Sequence, residues 1–258
     1  MKLTARSWLT LLVFAATVSL PARALAQSPQ VLALDATRYM ALGDSIAAGY
    51  KAMPVTQGYT YLLYENGVFD AVPHTLFCNA AVPGATSRDV LLYQVPQALI
   101  STADGGFNPA YLTLTVGGND LLSILKFMGT HQNPNEVLQF ASGVLAQYGQ
   151  NLAGTLYLLH TALPNTKIFV ANQYTIPEIE AIVPLTGPMI AAFNNVVAQV
   201  VGQFTSQVYL VDVHAAFLGR NNLLLVERHD ASPLETHLTS LGHRVMEQVF
   251  TDVITQNR

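Results

Sequence analysis

Residues 39–45 read Tyr-Met-Ala-Leu-Gly-Asp-Ser, a short apolar run that ends in a glycine and two polar side chains. Four further apolar runs read as strands, at residues 74–79, 111–116, 167–171 and 208–212. Helical patterns separate these runs, which predicts a parallel sheet covered by helices on both faces. Strands in such a sheet are buried on both sides, and this explains why the runs are almost continuously apolar.

Helices are predicted from Ser45 onward and at five later places, at residues 58–67, 87–100, 135–160, 188–207 and 239–255. No internal repeat, low-complexity tract or linker divides residues 27–258. We therefore predict the α/β class: a single three-layer α/β/α domain around a mostly parallel five-stranded sheet.

The N-terminal residues 1–26 have the order of a secretory signal peptide. Lys2 and Arg6 precede the apolar stretch 8–20, and Ala24-Leu-Ala26 is an A-x-A cleavage site. The alternative is an uncleaved membrane anchor, but a spanning helix needs about 20 apolar residues. We expect a secreted or periplasmic product with no stable membrane span after cleavage.

Composition excludes several classes of protein. The 258 residues are 51% hydrophobic and only 11% charged, which is typical of a globular chain and not of a disordered one. Twelve basic against 16 acidic residues disfavour nucleic-acid binding. The single cysteine excludes an internal disulfide, and we interpret Cys78 as a buried small hydrophobe.

Polar residues that carry chemistry follow the predicted strands. In an open parallel sheet, functional residues gather beyond the carboxyl ends of the strands. A serine, a turn glycine, an asparagine and a histidine occupy such places: Ser45, Gly84, Asn119 and His237. A serine supplies a nucleophile, a histidine removes its proton, and amide donors stabilise a carbonyl oxygen that becomes negative. The set predicts acyl transfer.

The four blocks resemble the SGNH (GDSL-type) serine hydrolase family in order and spacing over nearly all of residues 27–258. The blocks are Leu42-Gly-Asp-Ser-Ile-Ala-Ala-Gly49, Gly84, Gly117-Gly-Asn-Asp120 and His237-x-Thr-x-x-Gly-His243. The resemblance implies a flavodoxin-like sheet and no cofactor. It places the nucleophile on Ser45 and the base on His237. It also implies that the backbone of Ser45, the backbone of Gly84 and the amide of Asn119 form the oxyanion hole.

One position departs from the family pattern. The family's aspartate lies three residues before the histidine, where this chain has Leu234. Three substitutes remain for orienting His237: a main-chain carbonyl within residues 230–235, the carboxylate of Glu235, or that of Asp230. We favour the carbonyl, then Glu235, then Asp230, and on that basis expect Glu235→Gln to keep activity within about tenfold.

Other groups at the same edge have simpler interpretations. We interpret Asp44 as a turn residue at a helix start. We expect His243 to pack against the final helix. A dyad of His214 with Asp212 is a lesser alternative to His237. The chain has no GxxxxGK[ST] loop, no HExxH motif and no GxSxG elbow.

The sequence thus predicts a secreted esterase or lipase that hydrolyses a small-molecule or lipid acyl ester through an acyl-enzyme. The largely apolar segments 176–188 and 221–225 are candidate linings of an acyl site. Two alternatives stay open. One is an acyltransferase that uses the same serine, and the other is a non-catalytic secreted binding protein on the same scaffold. Oligomeric state is not predicted.

Overall fold

A five-stranded, all-parallel sheet forms the centre of the molecule. The structure, a computed structural model, describes residues 38–69, 76–103, 106–218 and 235–258. Within them the strand order is β2-β1-β3-β4-β5. The strands are β1 (Arg38–Gly43), β2 (Leu76–Asn79), β3 (Tyr111–Thr115), β4 (Lys167–Ala171) and β5 (Val208–Val211). The predicted signal peptide, the segment 221–225 and Asp230 lie outside the described residues.

Helices connect these strands. They are α1 (Tyr59–Glu65), α2 (Ser87–Asp89), α3 (Val95–Ala103), α4 (Gly118–Thr130), α5 (Pro134–Ala162), α6 (Pro177–Ile182), α7 (Thr186–Val201), α8 (Val213–Phe217) and α9 (Ser240–Gln256). A 3₁₀ turn covers Val55–Gln57, and a π-helical segment, Val90–Gln94, joins α2 to α3. No helix in the described part of the chain is long and apolar enough to cross a membrane.

The alternation of side chains along each strand separates the core into two layers. Met40 and Leu42 of β1 pack in one cluster with α3, α4, α5 and α7. Tyr39 and Ala41, which point to the other face, pack with α1, α8 and α9. Both faces of the sheet are therefore buried, as the apolar runs predict, and the three-layer α/β/α fold is confirmed.

The strand order creates a crevice beside β1. The chain passes from β1 to β2 on one side and then crosses to β3 on the other. At such a switch point the connections leave in opposite directions, and the space between them is where open sheets of this kind bind ligands. Ser45 follows β1 and Asn119 follows β3, so both border this crevice.

One predicted helix is wrong. Residues 45–51 form turns and not a regular helix. The Asp44 carboxylate accepts a hydrogen bond from the Ile46 N–H at 3.0 Å, which competes with helical bonding at this point. Gly49 and Lys51 then have positive φ angles of 75° and 68°, which a right-handed helix does not allow.

Two smaller differences concern burial and helix length. Cys78 is only half-buried, although it packs against the core as expected of a small hydrophobe, and partial burial raises the pKa of its thiol. The predicted helix 188–207 is displaced to Thr186–Val201, and Gly202 follows its last residue.

Candidate active site

Ser45 lies on a tightly held turn directly after β1. The Thr115 hydroxyl of β3 donates to Asp44 Oδ1 at 2.9 Å, and the Asp44 N–H donates to the Thr115 carbonyl at 3.0 Å. The Tyr50 N–H donates to the Ser45 carbonyl at 2.9 Å and closes the turn. Asp44 is therefore a turn residue, as predicted, although it starts no helix.

Asp44 is buried beneath this turn. Its removal from water raises the pKa of its carboxyl to about 6, although hydrogen bonds from Thr115 and Ile46 oppose the rise. Asp120 lies in a similar setting at the start of α4, where burial also raises its carboxyl pKa. Both acids hold backbone and hydroxyl groups in place.

The glycine before Asp44 is required by space as well as by conformation. Gly43 has a φ of 130°, and a Cβ on it would lie 2.0 Å from the Thr115 carbonyl oxygen. The buried Gln94 side chain brackets its backbone: the Gly43 N–H donates to Oε1, and Nε2 donates to the Gly43 carbonyl, both at 2.7 Å. The π-helical segment that carries Gln94 thus fixes the end of β1.

His237 reaches Ser45 from the loop before α9. Its Nε2 lies 2.9 Å from Ser45 Oγ. Its Nδ1 makes a very short hydrogen bond with Oε1 of Glu235. With the proton on Nδ1, Nε2 presents a lone pair to the serine hydroxyl, which is the arrangement a general base needs. The histidine and glutamate side chains are 23% and 25% exposed.

The orienting group is therefore Glu235, and the preference for a main-chain carbonyl is wrong. Nδ1 has a single hydrogen to donate, and the carboxylate accepts it. The loop turns so that Glu235 Oε1 also accepts the N–H groups of Thr236 at 2.9 Å and of His237 at 3.1 Å. Leu234 and Asp230 lie outside the described residues.

Burial by itself raises the pKa of the Glu235 carboxyl, but the hydrogen bonds outweigh it. The His237 side chain, the backbone N–H groups and the charge interaction with His237 together hold the pKa below its usual value. Glu235 is accordingly ionised at neutral pH. A carboxylate in this position orients the imidazole and stabilises its charged form.

Asn119 and Gly84 lie on the two segments that face each other across the crevice. Asn119 is in the first turn of α4, and its Nδ2 donates to the Ala85 carbonyl at 2.9 Å, next to Gly84. One N–H of that amide remains for another acceptor. Gly84 is exposed with a φ of 85°, and a Cβ there would have no atom within 4 Å. A glycine at this position therefore allows the positive φ of the turn and is not required by a close approach of other atoms.

A buried hydrogen-bond network joins these two segments. The Ser87 N–H and hydroxyl donate to the two carboxylate oxygens of Asp120, at 2.9 and 2.6 Å. Asn151 of α5 donates to the Ser87 hydroxyl at 3.0 Å. The positions of Gly84 and Asn119 are thus set by a shared structure beneath them.

Ser45, Asn119 and His237 line one small cavity of about 80 Å³. One side of this cavity is aliphatic and is formed by α4, α6, α7 and the residue before α6: Leu121, Leu122, Leu125, Ile176, Ile179 and Ile190. Ile176, Ile179 and Thr186 belong to the segment 176–188 that the sequence singled out. The leucines of α4 were missed, although their spacing marks one face of a helix.

The alternative histidines do not form a second site. Asp212 accepts hydrogen bonds from Asn172 at 2.7 Å and from the Ala215 N–H at 3.1 Å, so its carboxylate serves as a helix cap. His214 donates its backbone N–H to Asn172. His243 is fully buried, which agrees with a packing role, but it is part of the final helix itself. Within the described residues no three acidic, histidine or cysteine side chains cluster as metal ligands would.

Comparison with known proteins identifies a family and several solved structures with the same fold. The model of the GDSL-like Lipase/Acylhydrolase family matches residues 41–245. A search of curated proteins finds no match.

Several solved structures share the fold at low sequence identity. An extracellular lipase from Streptomyces rimosus is 18% identical with a TM-score of 0.63, covering 84% of this chain and all of its own. A phospholipase A1 from Streptomyces albidoflavus is 18% identical with a TM-score of 0.63, covering 85% and 100%. A lipase from a goat rumen metagenome is 19% identical with a TM-score of 0.63, covering 84% and 97%.

Proposed function

The chain belongs to the GDSL-like lipase/acylhydrolase family, and from this we propose that it is an exported serine hydrolase that cleaves carboxylic acyl esters on Ser45. The observation that carries the proposal is the continuous series Glu235–His237–Ser45, with Nε2 of the histidine 2.9 Å from the serine Oγ. A nucleophile, a base within hydrogen-bond reach and a third group that orients the base are the signature of an activated serine.

The first half of the reaction follows from this geometry. His237 Nε2 takes the Ser45 proton while Oγ bonds to the ester carbonyl carbon, and the carbonyl electron pair moves onto oxygen. The backbone N–H groups of Ser45 and Gly84 and the amide of Asn119 stabilise that oxyanion. The intermediate then releases the alcohol oxygen, which takes the proton from His237, and the acyl group remains on Ser45.

Deacylation repeats these steps with water. His237 takes a proton from water as the oxygen attacks the acyl-enzyme, and Ser45 recovers its proton when the carboxylic acid leaves. Glu235 stays ionised throughout and stabilises the imidazolium in both halves. Every step uses groups of the chain and water, so this proposed mechanism requires no cofactor.

An acyl group is the substrate part that the site supports best. The aliphatic side chains of the cavity beside Ser45 offer apolar contact to a hydrocarbon chain. None of them carries a charge that would pair with an acidic or basic acyl group. The small volume of this cavity suits a short or medium acyl group. We propose a small-molecule or lipid ester as substrate and a secreted or periplasmic location.

The non-catalytic alternative has less support. It rested on the missing aspartate, and the Glu235 carboxylate forms a hydrogen bond with Nδ1 of His237. The acyltransferase alternative uses the same chemistry with an alcohol in place of water, and product analysis with a competing alcohol distinguishes it.

The test is turnover of nitrophenyl esters from acetate to decanoate, with labelling by a serine-directed organophosphonate. We expect wild-type turnover with a maximum at one chain length, and stoichiometric labelling. Ser45→Ala should abolish both, whereas the exposed Ser101→Ala should change neither. Labelling that survives in Ser45→Ala would place the nucleophile elsewhere.

A further inference from the structure

His243 lies six residues after His237 and is fully buried, yet the reaction above does not use it. Its Nδ1 accepts the Tyr59 backbone N–H at 3.3 Å. Because Nδ1 is an acceptor, the neutral ring carries its proton on Nε2, and this N–H donates to the Tyr50 carbonyl at 3.4 Å. Burial lowers the pKa of His243 to about 4, so the ring keeps this neutral form at neutral pH.

Tyr50, the residue that His243 holds, contacts both partners of the proposed reaction. Its backbone N–H donates to the Ser45 carbonyl at 2.9 Å. Its ring meets the His237 ring edge-on, with centroids 4.6 Å apart and planes at 70°. Such edge contacts between aromatic rings are attractive. Tyr50 therefore lies between the turn of the nucleophile and the loop of the base.

A second contact strengthens the connection between that turn and α9. Ser240 Oγ accepts the Met53 N–H at 2.9 Å and lies 3.2 Å from the Met53 carbonyl. Ser240 opens α9, three residues before His243. The segment from Tyr50 to Met53 is thus bound at both of its ends to the first turn of this helix.

His237 needs such support because it belongs to no helix or strand. Hydrogen bonds to Glu235 and Ser45 hold its two ring nitrogens. Once Ser45 carries an acyl group, its Oγ has no proton, and the bond to Nε2 is lost. The ring must still keep its place to activate water, and of its described hydrogen bonds and ring contacts those with Glu235 and Tyr50 remain.

We propose that His243 and Tyr50 act as one positioning unit for the base: His243 fixes the Tyr50 backbone, and the Tyr50 ring fixes the plane of the His237 imidazole. The inference rests on the proposed function of Ser45 and His237. Neither residue touches a reacting atom, so both are positioning residues and not catalytic ones.

Two single variants and their combination test the unit. Tyr50→Leu removes the ring, and we expect kcat to fall about tenfold with KM little changed. Tyr50→Phe keeps the ring and should restore kcat. His243→Met removes the N–H donor at similar size and should also lower kcat, whereas His243→Gln keeps a donor and should recover part of it.

The double variant Tyr50→Leu/His243→Met should lose little more than the worse single variant, because both changes break the same connection. Losses that multiply would mean that the two residues act independently. A purely structural role would lower the midpoint of urea unfolding in step with activity. Tyr64→Leu is the matched control: Tyr64 is also exposed and stacks on Phe77, and its loss should leave kcat unchanged.

Wild-type turnover and labelling are measured first, which separates the two proposals. An inactive, unlabelled wild-type protein would overturn the proposed function and this inference together. Wild-type activity with full kcat in Tyr50→Leu would overturn the positioning unit alone. If His243→Met does not fold, Tyr50→Leu with Tyr50→Phe still decides the outcome.

Discussion

Glu235 receives three hydrogen bonds on a single carboxylate oxygen, from the His237 ring and from two backbone N–H groups. An acceptor so placed fixes both the loop and the tautomer of the histidine. An amide can turn its oxygen toward the same donors, but it brings no negative charge to balance an imidazolium.

We expect Glu235→Gln to lower kcat by about 10³- to 10⁴-fold with little change in stability, since replacing the acid of a triad by its amide costs about that much. Steady-state turnover and urea unfolding measure the two effects. Glu247→Gln is the control, because Glu247 also accepts side-chain hydrogen bonds but lies on α9 away from the histidine loop. A loss of less than tenfold would mean that the negative charge of Glu235 is not needed.

Asn119 is the side-chain donor proposed for the oxyanion. Removing one preorganised donor of this kind costs about 10²- to 10³-fold in kcat, and we expect this loss in Asn119→Ala. Turnover of the preferred nitrophenyl ester measures it. Asn195→Ala, at an exposed position of α7, serves as control. Full activity in Asn119→Ala would restrict the residue to its bond with the Ala85 carbonyl.

Asp44 makes a prediction about stability and pH. Its carboxyl pKa rises from 3.8 to about 6 on folding, so the folded state prefers the protonated acid. The stability that this group contributes is present below pH 3.8 and is lost as the pH rises through about 6. The difference between those two values corresponds to roughly 3 kcal/mol.

Asp44→Asn keeps an oxygen acceptor without the charge. We therefore expect the variant to exceed wild type in free energy of unfolding by up to about 3 kcal/mol at pH 7.5. The advantage should disappear near pH 4. Urea unfolding of both proteins at several pH values measures it. A difference that does not vary with pH would show that the Asp44 charge does not oppose folding.

At the scale of elements, the end of β1 has little room for a side chain. A methyl group on Gly43 meets the Thr115 carbonyl oxygen at 2.0 Å, and the φ of 130° is strained for any side chain. We expect Gly43→Ala to lower the free energy of unfolding by at least about 3 kcal/mol, since overpacking and backbone strain add. Gly129→Ala in α4, where the added carbon meets nothing within 4 Å, should be neutral or stabilising. Thermal unfolding compares them, and equal midpoints would contradict this account.

The elements that the sequence predicts well are those whose burial is uniform. Strands covered on both faces leave continuous apolar runs, so all five were found within a few residues. Helix α4 was missed because Gly117-Gly-Asn-Asp120 reads as the end of a strand. The spacing of Leu121, Ile124, Leu125 and Met128 nevertheless marks a helical face. The helix expected after Ser45 fails because one carboxylate accepts a backbone N–H.

The residues of the candidate site also differ in how far the sequence predicts them. The places of Ser45 and Asn119 at one edge of the sheet were predictable because each follows a strand, whereas the catalytic roles of Ser45, Gly84, Asn119 and His237 stay predictions. Glu235 could be named only as the second of three candidates, because its reach depends on the path of an irregular loop. Tyr50 and His243 were not recognised as connected, since their contact joins residues 193 apart in the chain.

At the scale of the whole molecule, processing has a simple optical test. Trp8 is the only tryptophan and lies within the predicted signal peptide. Protein purified after export should therefore show tyrosine-like fluorescence only, whereas the full-length chain kept inside the cell should show tryptophan emission. Intact mass measurement identifies the new N-terminus. Tryptophan emission from the exported protein would contradict cleavage after Ala26.

The proposed nucleophile and its proposed base are 192 residues apart in the chain, and this separation decides when the site can assemble. A nascent chain emerging from the ribosome carries Ser45 early, but the loop with Glu235 and His237 comes only with the last tenth of translation. Until the sheet and α9 have assembled, the serine is an ordinary alcohol. If the chain is exported as proposed, a precursor held unfolded for passage through a membrane has no assembled site and does not cleave the esters of the producing cell.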